Sequence, residues 1–178
     1  MLSLGTAVAL AIPAGCLMAY VRRSTSDYVI RVVTIVGVTI PSFWLGIVLI
    51  LGAYKLVPGF ASIGYVPFAD DPFANLSRMI LPTVSLALPI VASLSRIMRS
   101  AMLDALGQDY IRTARAKGVF ERLVISRHAL RNALLPAITV IGLEFAFLIG
   151  GLVVTEQVFN LNGVGRLFVE AVTRHDYT

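Results

Sequence analysis

The sequence has few charged residues and almost no cysteine. Of its 178 residues, 14% are charged and 57% are hydrophobic, and the mean hydropathy is +0.83. A soluble domain of this size would not have enough polar surface to cover itself, so the composition indicates an integral membrane protein. The single cysteine, Cys16, lies in an apolar segment and excludes both an internal disulfide and a thiolate metal site.

The common catalytic motifs are also missing. No G-x-x-x-x-G-K-[ST] occurs, so the chain is not expected to bind ATP through that loop, and no H-E-x-x-H, C-x-x-C or G-x-S-x-G occurs. His128 and His175 are far apart in the sequence and are predicted on opposite sides of the membrane. We therefore predict no catalytic residue, no metal site and no cofactor on this chain.

Four apolar segments predict membrane spans, at about residues 4–21, 32–57, 79–94 and 137–155. Lysine and arginine cluster beside these segments, and the positive-inside rule places that side in the cytoplasm and residues 58–78 and 156–178 outside. The same rule accounts for the net charge of +5 without a nucleic-acid partner. These features predict an all-α, multi-pass transmembrane helical bundle forming a single domain over residues 1–178.

The order of charge and apolar residues at the start is unlike a signal peptide. Arg22 and Arg23 follow the first apolar run, whereas a signal peptide has its positive charge before it. The first span is therefore predicted to run from outside to inside, and the tail to be extracytoplasmic. With this topology we expect one further span before the sequence and one after it.

A basic loop, residues 96–131, is the long polar interruption of the chain. It carries eight lysines and arginines against three acids, yet apolar residues recur through it at helical spacing. Gly118 stands where a helix would end on a residue that tolerates positive φ. The pattern predicts two short amphipathic helices joined by a turn, lying at the membrane surface or against a partner.

Three residues within the spans are candidates for a solute pathway. Pro41 and Ser42 lie at a proline kink in the second span, which indicates either helix packing or a pore-lining bend. Glu144 lies near the middle of the fourth span, where a carboxylate marks a pathway or a polar contact inside the bundle.

The basic loop resembles the cytoplasmic coupling loop of ABC importer permeases, which reads E-A-A-x-x-x-G and, ten residues later, I-x-L-P. The form T-A-R-A-K-G followed by R-H-A-L-R-N-A-L-L-P is similar to the dipeptide/oligopeptide permease subfamily. Residues 39–46 resemble its S-I-P-S-F-W segment, residues 156–165 its E-x-V-F-x-x-P-G-x-G element, and residues 175–177 its R-D-Y. The residues that fall on the coupling-loop motif are Arg112, Thr113, Ala114, Gly118, His128, Ala129, Leu130 and Arg131.

The resemblance implies the fold of a type I ABC importer permease, in the bacterial inner membrane, that forms a pathway for peptides. It implies a separate ATPase that holds ATP and Mg, a second permease subunit in a heterodimer, and an extracytoplasmic solute-binding protein. Ala114 and Gly118 would then allow close approach of the ATPase. The solute stays open among dipeptides, oligopeptides, nickel complexes and glutathione.

Other classes of protein would explain part of the pattern. A channel or secondary transporter without an ATPase would account for Glu144 and the proline-broken spans. A membrane-embedded enzyme would need convergent polar residues that the sequence lacks, and a receptor or scaffold would bind an ATPase without transport. The long basic loop and the resemblance over nearly the whole chain favour the importer.

Overall fold

The computed structural model describes residues 1–22, 24–57, 64–149 and 153–175, and these residues form helices and no strand. Three helical segments are long and apolar enough to cross a membrane, and α2 with α3 would together make a fourth. The all-α, multi-pass prediction is thereby confirmed. The elements are α1 (Leu2–Tyr20), α2 (Thr25–Thr39), α3 (Ser42–Leu56), α4 (Pro72–Leu106), α5 (Asp109–Ala116), α6 (Glu121–Leu123), a π-helical stretch (Val124–Ala129), α7 (Leu130–Ile149), α8 (Val153–Val158) and α9 (Val164–Thr173).

Side-chain caps begin two of the helices. The Ser24 hydroxyl accepts a hydrogen bond from the Asp27 amide (3.2 Å) at the start of α2. The Asp71 carboxylate accepts one from the Ala74 amide (2.9 Å) at the start of α4, where Pro72 occupies the first turn. Both arrangements satisfy amides that have no partner inside their own helix.

The chain turns sharply within the predicted span over residues 32–57. Helices α2 and α3 meet at an angle of 100°. Ile40 is extended (φ −80°, ψ 121°) because the ring of the next residue, Pro41, disfavours the helical region at Ile40. Pro41 also has no amide hydrogen to continue the helical hydrogen bonds. What the sequence suggested as a kink is a break between two helices.

Helix α4 is the central element and is longer than predicted. Its 35 residues extend roughly 52 Å at ~1.5 Å per residue, so the expected span at 79–94 is only its middle. The first part of the basic loop, residues 96–106, continues this helix and does not form a separate one. Helix α4 contacts α1, α2, α3 and α7, so it holds the bundle together.

Helices α1 and α4 approach closely at Gly15. A Cβ atom there would lie 2.6 Å from Met98 Cβ and 2.7 Å from the Ser95 carbonyl oxygen, both on α4. Met98 and Ser95 are fully buried at this contact. Small residues allow such close backbone approach in membranes, where dispersion rather than the hydrophobic effect drives helix association.

A buried ion pair connects α2 to α4. Asp27, only 1% exposed, accepts two hydrogen bonds from Arg99 (Nε 3.0 Å, Nη2 2.9 Å) and two from Arg31 (Nε 3.3 Å, Nη2 2.7 Å). Removing one partner of such a pair would leave a buried charge uncompensated, which costs far more than an exposed pair contributes. Sequence reasoning did not predict this link, because its two ends are 72 residues apart.

The predicted polar tail, residues 156–178, is largely helical. The Glu156 carboxylate accepts hydrogen bonds from the amides of Arg166 (2.7 Å) and Gly165 (3.4 Å), which fastens α8 to the start of α9. Phe159 is fully buried against Gly46 of α3, where a Cβ atom would lie 2.8 Å from the ring. Asp176 and Tyr177 of the R-D-Y resemblance and residues 58–63 of the predicted outer loop lie outside the described residues.

A matched pair of glycine substitutions in α1 tests the α1–α4 contact. Glycine to alanine favours a helix by roughly 1 kcal/mol, and at Gly5 nothing lies within 4 Å of the new Cβ. At Gly15 the same change meets α4, and overpacking of this kind costs ~1–3 kcal/mol. We expect Gly15→Ala to lower the midpoint of thermal unfolding in detergent and Gly5→Ala to leave it unchanged or raise it. Equal melting of the two variants would contradict the close contact.

Candidate functional site

The first candidate site is the coupling segment, residues 107–131, which follows α4. Its turn is centred on Gly118, with φ at +76° as the sequence predicts. The Gly118 amide donates to the Arg115 carbonyl (2.9 Å) and the Val119 amide to the Ala114 carbonyl (3.2 Å). These bonds close the end of α5, as expected where a glycine in the left-handed region ends a helix.

The second half of the segment differs from the prediction of two separate short helices. Only α5 is a separate helix. Helix α6, the π-helical stretch and α7 are continuous from Glu121 to Ile149. The polar residues after Gly118 are therefore the first turns of a membrane-length helix, and π-helical turns of this kind occur often at functional sites.

The inner face of the coupling segment is apolar and buried against the membrane helices. Ile111, Val124 and Ala129 are fully buried in one cluster, together with Met102 and Ala105 of α4. Packing of this kind joins the segment to the ends of α4 and α7 and can transmit strain between them.

Two polar contacts orient the segment further. The Asn132 side-chain amide donates to the Tyr110 hydroxyl (2.8 Å), which joins α7 to α5. Arg115 donates two hydrogen bonds to Glu121 (3.0 and 2.6 Å) across the Gly118 turn, and these bonds raise the pKa of the Arg115 guanidinium. Because the Arg115 pair is exposed, it contributes little free energy, and it mainly sets the geometry of the turn.

The predicted coupling residues fall into three groups by their exposure. Ala114 is only 8% exposed and Ala129 is fully buried, so both face their own chain. The small side chain of Ala114 belongs to the buried cluster of its own chain, and close approach of a partner at this position stays a prediction. His128 and Leu130 are half-buried, whereas the exposed positions are Arg112, Thr113, Gly118 and Arg131.

Sequence reasoning missed the most exposed apolar side chain of the segment. Phe120 is 80% exposed, and Leu123 beside it is half exposed. In the sequence, Phe120 comes directly after the Gly118 turn and lies outside the helical periodicity of the apolar residues. This position could have indicated that its side chain is exposed. Arg112 and Lys117 of the same segment are also exposed, and aromatic residues and arginine are enriched at protein interfaces.

The second candidate site is a cavity of about 240 Å³ within the bundle. Ser42 and Glu144, both predicted for a pathway, line the same cavity although they are far apart in sequence. Pro41 is not among its lining residues, but it makes the break that positions Ser42 at the start of α3. Ser93 is a third polar group that the sequence did not single out. The remaining lining residues are Val38, Leu86, Pro89, Ile90, Phe147 and Leu148.

Glu144 has no hydrogen bond or ion pair with any residue in the described ranges. The described residues therefore do not support the alternative that this carboxylate is hydrogen-bonded to a neighbouring helix. An apolar cavity with a few polar groups from different helices can bind and orient a polar solute. No cluster of three or more histidine, cysteine or acidic side chains that could hold a metal occurs in the part of the chain described.

These features define a multi-pass helical membrane protein with a polar segment fixed to the ends of its spans. Residues 11–178 match the family described as the inner membrane component of binding-protein-dependent transport systems, and the chain belongs to that family.

The sequence is also similar to individual transport permeases, which is consistent with membership of this family. The chain is 47% identical over 174 residues to a candidate peptide transport system permease of Brucella suis, and 44% identical to the oligopeptide transport system permease AppB of Bacillus subtilis. It is 37% identical over 171 residues to the glutathione transport system permease GsiC of Escherichia coli. Each match covers 96% of this chain but only 53–55% of the relative, so the chain spans about half their length.

Substitutions at Gly118 test the geometry of the coupling turn. A Cβ atom there meets nothing within 4 Å, so any effect is conformational. The left-handed region costs most residues ~1–2 kcal/mol, and asparagine less. Gly118→Val should therefore speed hydrogen exchange at the Val119 amide roughly five- to thirtyfold, and Gly118→Asn should change it less. Wild-type exchange in the valine variant would show that the turn does not need positive φ.

Proposed function

We propose that this chain is the transmembrane permease subunit of an ATP-driven importer for dipeptides or oligopeptides. The observation that carries the proposal is the two-sided coupling segment, which is buried against α4 and α7 on one side and open on the other. The printed names of the relatives, which are permeases of peptide, oligopeptide and glutathione transport systems, support peptides or peptide-like solutes.

The coupling segment would transmit force between a separate ATPase and the spans. ATP and Mg would bind to that ATPase, since no phosphate-binding loop motif occurs in this chain. Closure of the ATPase subunits would push on the open face, and the buried face would pass the movement to α4 and α7. Packed helices respond to such a push as rigid bodies that move between two arrangements.

The exposed residues suggest how the ATPase is held. Phe120 would enter an apolar pocket, because large aromatic side chains dominate binding energy at the centre of an interface. Arg112, Lys117 and Arg131 would surround it and pair with acids on the partner. We propose in addition a second permease subunit, forming a heterodimer, and an extracytoplasmic solute-binding protein that delivers the peptide.

The cavity inside the bundle would form part of the solute pathway. Its polar groups come from three helices: Ser42 from α3, Ser93 from α4 and Glu144 from α7. Movement of α4 relative to α7 would change the distances between these groups and so alternate the access of the solute. Pro41 would act indirectly, by fixing the break between α2 and α3.

Disulfide crosslinking to the ATPase tests the coupling surface. In a Cys16→Ser background, Phe120→Cys should crosslink to single-cysteine ATPase subunits of the same transport system, and ATP should change the yield. Ala114→Cys is the matched control, because it lies in the same segment but faces inward, and it should not crosslink. Absence of a crosslink from Phe120 in a correctly inserted chain would favour a channel or secondary transporter that needs no ATPase.

Neutralisation of Glu144 tests the pathway. Interactions with a charged group contribute ~1.5–3 kcal/mol, so Glu144→Gln should reduce peptide uptake by the assembled transporter roughly tenfold or more. Glu170→Gln removes an exposed carboxylate of α9 away from the cavity and should keep normal uptake. Normal uptake by the Glu144 variant would remove this residue from the pathway.

A further inference from the structure

A second cavity lies where α1, α2 and α4 meet. Its volume is about 220 Å³, and three of its five lining residues are arginines. It shares no lining residue with the cavity that contains Glu144. The lining residues are Met18, Arg31, Ile35, Arg96 and Arg99.

The charge around this cavity is not balanced within the described part of the chain. Asp27 is the carboxylate that pairs with Arg31 and Arg99. Arg96 has no ion pair or hydrogen bond in the described ranges. Three guanidinium groups and one carboxylate leave two positive charges for an anion to neutralise.

The pairing with Asp27 also leaves hydrogen-bond donors for a ligand. Arg31 and Arg99 each use Nε and Nη2 toward Asp27, so their Nη1 groups take no part in that contact. The contact with Asp27 thus fixes the planes of both guanidinium groups and leaves their Nη1 donors available. Guanidinium groups bind phosphate oxygens with two parallel hydrogen bonds, and fixed planes lose less entropy in doing so.

The position along the helices favours a lipid over a soluble anion. The apolar stretch of α4 ends before Arg96, and that of α2 begins after Arg31, so the arginines lie at the predicted cytoplasmic boundary of the bilayer. The exposed side chain of Ile35 adds an apolar surface, which a soluble anion would not need. Basic pockets between membrane helices on this side suit anionic headgroups.

We propose that this cavity binds the phosphate headgroup of an anionic phospholipid. Arg31, Arg96 and Arg99 contact the phosphate, and Ile35 contacts the start of an acyl chain. The lipid neutralises the excess charge at the α2–α4 contact and so stabilises the helix that leads into the coupling segment. A soluble phosphate shares the headgroup chemistry but lacks the apolar part.

Lipid titration of the purified full-length chain, in complex with its partner subunits, tests the proposal. After delipidation, native mass spectrometry would measure binding of phosphatidylglycerol, with phosphatidylcholine as the zwitterionic comparison. Arg96→Gln should weaken phosphatidylglycerol binding about fivefold, the loss expected for one arginine at a membrane surface. Since Arg96 is exposed and unpaired in the described chain, this variant should fold normally.

Two further variants complete the experiment. Arg127→Gln removes the same charge from an exposed arginine outside the cavity and should bind phosphatidylglycerol like the wild type. Arg96→Lys keeps the charge but not the planar fork and should fall between the wild type and Arg96→Gln.

Three results would overturn the proposal. Equal binding of phosphatidylglycerol and phosphatidylcholine would show that the cavity does not select an anion. Equal binding by Arg96→Gln and the wild type would show that the anion binds elsewhere. Inorganic phosphate that binds without lipid as tightly as phosphatidylglycerol, with the same dependence on Arg96, would assign the cavity to a soluble anion instead.

Discussion

The packing of α4 against its neighbours is the constraint on which the other features depend. One helix of 35 residues contacts α1, α2, α3 and α7 and then leads into the coupling segment. Its contact with α1 needs Gly15, because any side chain there would meet α4. Its contact with α2 is held by the buried Asp27–Arg99 pair, which can be broken only by leaving a charge without its partner. Displacement of α4 would therefore disturb the whole bundle.

The coupling segment shows how a short polar region can be both rigid and accessible. Its rigidity comes from apolar residues such as Ile111 and Val124, buried among the ends of the membrane helices. Its exposed ion pair, Arg115 with Glu121, contributes little energy but sets the direction of the turn. Phe120, Arg112, Lys117 and Arg131 are exposed and do not belong to that buried cluster.

Pro41 determines how α3 is placed relative to the other membrane helices. Pro41 separates α2 from α3, and the resulting 100° angle brings Ser42 to the cavity that Ser93 and Glu144 also line. A continuous span would have left Ser42 in the middle of a helix. The buried Phe159, seated on Gly46, then fixes the other side of α3 to α8. The position of α3 is thus set by one break and one close contact.

The sequence by itself determined the class of fold, the positions of the apolar spans, the helix-ending role of Gly118 and the family resemblance. These follow from local properties: the run of apolar residues, the side on which cations cluster, and the φ that only glycine adopts easily. Only the tertiary structure decided that α4 and α7 continue through polar residues, that Ala114 faces inward, that Asp27 meets Arg99 and that the tail is helical. Periodicity shows that a face will be covered, but not which distant element covers it, because that choice depends on contacts between residues far apart in the chain.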